Sequence, residues 1–249
     1  MKKTYTLITG ASSGIGKEFA YFYAEKKHNL LLVARREELL QEIKADLENT
    51  HKIEVVYLIT DVSTREGIHT ITKWIDKQQA NINFLINNAG IALPGDMGTL
   101  TEEGIIQIMN INMQAIVLLC NAIIPQMKKA KNGKILNIAS LAAFFPGIHH
   151  SLYFATKAFV LNFSNALHYE GKPYNIQVSA VCPGFTKTDI LKSFSNTGKL
   201  ATPREVVEYA NYLIQHNKPF GVHKFANKYK AFLGRYLPLS RTAKMVSKE

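Results

Sequence analysis

Six short apolar runs, at 5–9, 29–34, 53–59, 83–87, 134–139 and 176–181, alternate with helical patterns at 14–27, 37–49, 64–79, 101–129, 151–170 and 203–216. This alternation restricts the fold more than any other feature of the chain. Runs such as Leu30-Leu31-Leu32-Val33 are apolar at every position, not at every second one. A strand of that kind is buried on both faces, which requires a parallel sheet with helices packed above and below it. The chain therefore predicts an α/β fold, a doubly wound parallel sheet of six to seven strands. With 249 residues and no Pro/Gly/Ser-rich linker or internal repeat, it suits one domain over 1–216, large enough to bury most of its apolar surface, followed by a basic extension over 217–249.

The first strand runs straight into Thr9-Gly10-Ala11-Ser12-Ser13-Gly14-Ile15-Gly16, and a helical run begins at once. Glycine suits a sharp turn and lets backbone approach a phosphate, while the helix N-terminus behind it offers unsatisfied N–H groups to an anion. Strand, glycine turn and helix in that order read as a Rossmann-like dinucleotide site. In such a sheet the ligand crevice opens at the carboxyl ends of the strands. Gly10, Asp61, Asn88, Ser140 and Pro183 all fall there.

Tyr153 and Lys157 lie four residues apart, with Ser140 thirteen residues before the Tyr. On a helix, positions i and i+4 share a face, so the ammonium can sit beside the phenol. A free phenol, with a pKa of about 10, is a poor proton donor at neutral pH; a fixed cation nearby is expected to lower it. That makes Tyr153 a candidate acid/base.

The spacing G-x-x-x-G-x-G at Gly10, Gly14 and Gly16 resembles the short-chain dehydrogenases/reductases in their classical, NADPH-preferring form. The resemblance covers about residues 4–215. Asp61-Val62 is similar to the family's adenine-contacting Asp and its neighbour, and Asn87-Asn88-Ala89-Gly90 to the element that steadies the central sheet. Asn112, preferred to Asn110, matches the catalytic Asn. Ser140, Tyr153 and Lys157 match the rest of the tetrad, and Pro183-Gly184-Phe185-Thr186-Lys187-Thr188 matches the segment beside the nicotinamide. The resemblance implies carbonyl reduction or its reverse. Hydride would pass from the nicotinamide while Tyr153 gives its proton to the oxygen and Ser140 holds that oxygen in line. Lys157 would bind the nicotinamide ribose and lower the Tyr153 pKa, and Asn112 would anchor a proton-relay water. Ser12, Ser13, Ile15, Ala89, Gly90, Phe185, Thr186 and Thr188 complete the implied cofactor contacts.

Arg35 and Arg36 end the second strand, where an acidic residue would favour a ribose 2′-OH. A guanidinium fork instead suits a 2′-phosphate. NADP(H) is therefore expected over NAD(H), although Ser13 stands where many NADPH-preferring relatives carry a basic residue. Phe144, Phe145, Pro146, Ile148, Phe185, Ile190, Leu191 and Phe194 flank the expected substrate cleft and favour an apolar, bulky ketone or alcohol; their alternative role is local packing. No third ligand near His149-His150 points to a metal.

Two cysteines, Cys120 and Cys182, far apart in apolar segments, give no disulfide framework, and a reducing cytoplasm is the expected location. The opening Met1-Lys2-Lys3 reads as leading into the first strand, not as a signal peptide. The apolar stretch from Ala115 is expected to stop at Pro125, too short for a bilayer. From Asn217 onward there are eight Lys or Arg and one Glu. Phe225, Tyr229, Phe232, Leu233 and Tyr236 form a helical stripe there. Docking of this stripe on its own domain or a sister subunit is expected, with contact to an anionic membrane surface the alternative and specific nucleic-acid binding the least favoured. The helices at 101–129 and 151–170 resemble those that form homodimers and homotetramers in the family. A non-catalytic dinucleotide-binding regulator or scaffold is the competing class, and retention of all four tetrad positions argues against it.

Overall fold

The computed structural model describes residues 2–193 and 200–246. Its strands are β1 (Thr4–Thr9), β2 (Leu30–Ala34), β3 (Val55–Ile59), β4 (Asn81–Asn87), β5 (Gly133–Ile138), β6 (Ile176–Cys182) and β7 (Phe220–Val222). They form one sheet in the order β3-β2-β1-β4-β5-β6-β7, every pair parallel. The helices are α1 (Gly14–Glu25), α2 (Glu37–His51), α3 (Arg65–Lys77), α4 (Glu102–Met109), α5 (Ala115–Ala130), α6 (Ser151–Gly171), α7 (Pro203–Gln215), α8 (Phe225–Tyr236) and α9 (Leu239–Val246). The doubly wound architecture follows from the apolar runs.

Alternate strand residues feed two cores, because successive side chains leave opposite faces of a strand. Leu7, Leu31, Val33 and Leu85 join the core under α3, α5 and α6, while Ile8, Leu30, Leu32, Phe84 and Ile86 join the one under α1, α2 and α7. Phe84 is almost completely buried, and its replacement by Ala would cost about 3–5 kcal/mol. The strand order reverses between β1 and β4, and the crevice opens at the carboxyl ends there.

The helical pattern at 101–129 forms one rod with a single widened turn in it: α4 and α5 are joined by Asn110–Gln114, with i→i+5 hydrogen bonding. As that pattern implies, α5 runs on through Pro125 to Ala130. Pro125 and Asn121 both lie on the exposed face. The carbonyl that loses its intrahelical donor can therefore be met by water, while Ile123 and Met127 hold the other face in the core. The continuous rod 102–130 has the length and composition of a membrane span, yet Ala115, Ile116, Leu119, Cys120 and Ile123 pack it into the core under β4 and β5 as a core helix.

The seventh strand arises inside the basic extension that was set apart from residue 217 onward, so the start of that extension belongs to the same sheet. Val222 is buried, and the Phe220 ring packs on Phe144 with centroids 6.2 Å apart.

Candidate active site

Glycine is required twice at the β1–α1 turn. Gly10 has φ 66°, and a Cβ there would approach the Cα of Ala89 to 2.9 Å; at Gly16 a Cβ would run into the carbonyl oxygen of Gly10. The turn is tied to β4 by Thr9, whose Oγ1 accepts the N–H of Asn88 at 3.0 Å and of Ala89 at 3.1 Å. The Asn88 amide in turn donates to the Thr9 carbonyl at 2.9 Å. Ser13, at the N-cap of α1, gives no side-chain cap to the helix. Gly10, Ser12, Ser13, Gly14 and Ile15 instead line a cleft of about 1170 Å³.

The two arginines divide their work. Arg36 places its fork over the turn, Nη2 donating to Ser13 Oγ at 2.6 Å and to Ser12 Oγ at 3.0 Å. Positive charge therefore stands at Ser13 after all, delivered from the end of β2. Arg35 pairs with Asp61, Nη1 to Oδ2 at 3.3 Å. Burial alone would raise the Asp61 pKa, but the Ser63 backbone N–H, which it accepts, and the Arg35 charge hold it below the ordinary value. Amide, hydroxyl and guanidinium donors along one wall suit the pyrophosphate and 2′-phosphate of a dinucleotide, and Asp61 and Val62 line the same wall. The residues present fit NADP(H).

At the other end, Ser140, Tyr153 and Lys157 share the cleft with Pro183, Gly184, Phe185, Thr186 and Thr188. Ser140 caps a short 3₁₀ turn, Leu141–Phe144, its Oγ accepting the Ala142 N–H at 3.1 Å. Lys157 is buried, and its Nζ donates to the Ile138 carbonyl at 2.9 Å. Burial pushes its pKa down to about 8, partly opposed by the nearby Cys182. That ammonium lies 5.8 Å from the centroid of the Tyr153 ring. The expected depression of the phenol is not produced by the chain alone. Burial is the largest influence and pushes Tyr153 up, while the Ser140 hydroxyl works in the opposite sense. Desolvation of the phenolate outweighs a lysine engaged elsewhere.

Asn112 sits in the widened turn, fully buried. Its Nδ2 donates to the Ile91 carbonyl at 2.9 Å and to Thr156 Oγ1 at 3.0 Å, and its Oδ1 accepts the Ile91 N–H at 3.0 Å. A Cβ on Gly90 would lie 3.3 Å from Asn112 Oδ1 and 3.4 Å from Lys157 Nζ. Gly90 thus allows backbone to pass between the two. Thr156 was not anticipated from the sequence, although its place one residue before Lys157 on α6 was a usable signal. Nor was the buried chain in which Asn137 Nδ2 donates to Ser164 Oγ and Asn87 Nδ2 to Asn137 Oδ1, both at 2.8 Å.

Phe145, Ile148, Phe185, Ile190 and Leu191 line the cleft, as do His149 and His150. Phe144 does not; it packs beneath β7. Phe194 lies outside the described residues. One wall was missed altogether, for Lys224, Ala226, Asn227 and Lys230 of the α8 segment border the cleft.

A parallel seven-stranded sheet with a glycine turn at its switch point defines a dinucleotide-binding α/β protein. The family model for short chain dehydrogenases matches residues 4–199, and the chain belongs to that family of oxidoreductases acting on CH–OH and C=O groups. It is 34% identical over 74% of its length to 3-ketodihydrosphingosine reductase of Bacteroides thetaiotaomicron, spanning 64% of that protein. It is 35% identical over 74% of its length to the NADP-dependent 3-hydroxy acid dehydrogenase of Schizosaccharomyces pombe, spanning 71% of it. Among solved structures it is similar to a short-chain dehydrogenase from Sphingobium yanoikuyae in complex with NADPH. That likeness has TM-score 0.84 and 32% identity, covering 98% of this chain and 95% of that one. The NADP(H) reading is consistent with these relatives.

Proposed function

We propose that this protein is an NADPH-dependent reductase of an apolar ketone, interconverting a carbonyl and a secondary alcohol. The observation that carries the reading is the single cleft that holds the Arg36 fork over Ser12 and Ser13 at one end and Ser140, Tyr153 and Lys157 at the other. When bound, the nicotinamide supplies the hydride. Tyr153 holds the proton that the carbonyl oxygen receives, as a phenol does at neutral pH. Ser140 orients the same oxygen. Lys157, depressed to about 8, can gain and lose a proton near neutrality. Asn112 fixes the Ile91 backbone and Thr156 around Lys157, acting on it through the walls of its pocket.

Phe145, Ile148, Phe185, Ile190 and Leu191 favour a substrate with an alkyl chain. The 3-keto and 3-hydroxy compounds named for two relatives put 3-oxo chains first among candidates. Assembly through α4 and α6, where Ile106, Met109 and Phe159 are exposed, accounts for apolar surface that a monomer would leave in water. The decisive experiment is a turnover screen of 3-oxo compounds and bulky ketones with NADPH and with NADH. Reduction with NADPH supports the reading; binding of NADPH without turnover of any ketone would return the protein to the non-catalytic class.

A further inference from the structure

The aromatic stripe on α8 does not pack on the domain. The helix is turned the other way, so that Ala231 and Gly234 meet the body of the protein. A Cβ on Gly234 would lie 2.5 Å from the Phe144 carbonyl and 2.9 Å from the Phe145 ring, so the close approach selects that small-residue face. At 100° per residue, Phe225, Tyr229, Phe232 and Tyr236 then point away from the protein. They are 85%, 61%, 58% and 69% exposed, and Leu239 at the start of α9 is 69% exposed. Four aromatic side chains thus form an outward stripe on α8, and a fifth large apolar side chain is exposed at the start of α9.

From this surface we infer that α8 and the start of α9 dock the protein on an anionic lipid bilayer. Lys228 and Arg235 run along one flank of the stripe, and Arg241 follows on α9, all three exposed. Residues 217–246 contain no Asp or Glu. Aromatic rings with bordering cations match the interface of a negatively charged membrane, where rings enter the headgroup level and each cation contributes about fivefold in partitioning. The same charges disfavour a second copy as occupant. A two-fold pairing of this face would bring Lys228 and Arg235 of both copies together without an acidic partner on either helix. Because Lys224, Ala226, Asn227 and Lys230 of the same segment border the cleft, docking brings the cleft's rim to the lipid surface. The inference does not depend on the identity of the substrate.

The test is flotation of the full chain with vesicles of phosphatidylcholine alone and of phosphatidylcholine with one quarter phosphatidylglycerol, beside sedimentation of the free protein. Binding is expected to the anionic vesicles and to fall with salt. Lys228→Glu with Arg235→Glu should reduce it at least about tenfold. Phe225→Ser, Tyr229→Ser, Phe232→Ser and Tyr236→Ser together should abolish it with the melting temperature unchanged, since the face is already exposed. Absence of the full chain from the floated fraction would overturn the inference. So would a concentration-dependent dimer dispersed by the four serine substitutions, which would give the face to a second copy.

Discussion

The two ends of the cleft are built from the same kinds of charged and hydroxyl groups under opposite conditions. At the inner end, Tyr153, Lys157, Thr156 and Asn112 are buried, and the last three are tied to backbone carbonyls. At the outer end, Arg36 reaches two serine hydroxyls from a side chain that is half exposed, and Arg35 pairs with Asp61 in partial contact with solvent. Burial converts modest chemistry into large effects, because an unmet polar group or charge there has no water to fall back on. Exposure makes the outer groups adjustable, open to a ligand's charge and with little hold on stability.

The largest effect should come from the inner end. Tyr153→Phe keeps the ring against Ile108 and Ala142 but removes the proton, so reduction of an accepted ketone should fall by about 10²–10⁴-fold while NADPH binding, read by fluorescence titration, persists. Unchanged turnover would break the proposed division of labour.

Lys157 should show itself in stability against pH. Its folded pKa, about 8, is depressed from 10.5, so between these values the unfolded chain binds more protons than the folded one. Stability attributable to Lys157 must therefore rise with pH across this window. Relative to Lys157→Met, the wild type should gain up to about 3 kcal/mol between pH 7 and 10.5 in denaturant unfolding. A difference that stays flat would show that the ammonium is not desolvated.

Asn112→Ala should cost about 2 kcal/mol of stability, since the half-buried N–H and C=O of Ile91 and the buried Thr156 hydroxyl each lose a partner. A loss below roughly 0.5 kcal/mol would mean that the widened turn relaxes to ordinary helix without them. The smallest effect belongs to the rim. Arg36→Ser should weaken NADPH by about tenfold, the lower end for a charge-assisted hydrogen bond, leaving NADH nearly unchanged and the discrimination sensitive to salt. Arg35→Ser should do less, because Asp61 already engages that charge. Equal losses for both arginines would erase the distinction drawn between them.

Much of the inner end was legible in order but not in environment. The four-residue spacing placed Lys157 and Tyr153 on one face of α6 correctly, yet it implied a lowered phenol. Spacing carries no information about solvent, and burial reversed the sign. The preference for Asn112 over Asn110 came from its resemblance to the family motif; the widened turn that buries it gave no sequence signal. Pro125 was read as the end of an apolar stretch and not of the helical pattern, and its exposed position on α5 is what makes the missing bond tolerable there.

The sequence by itself determined the parallel sheet, through strands apolar at every position, and the dinucleotide turn, through glycines at positions where a Cβ has no room. It also determined which side chains meet at the carboxyl ends of the strands, since strand order and period follow from local pattern. Only the tertiary structure decided which arginine covers Ser12 and Ser13, and which face of α8 turns inward. The stripe of Phe225, Tyr229, Phe232, Leu233 and Tyr236 was the face that apolarity would bury, yet of these five Leu233 alone is partly covered. Close packing chose Ala231 and Gly234 instead, because the backbone of Phe144 leaves space for a helix only where its side chains are smallest.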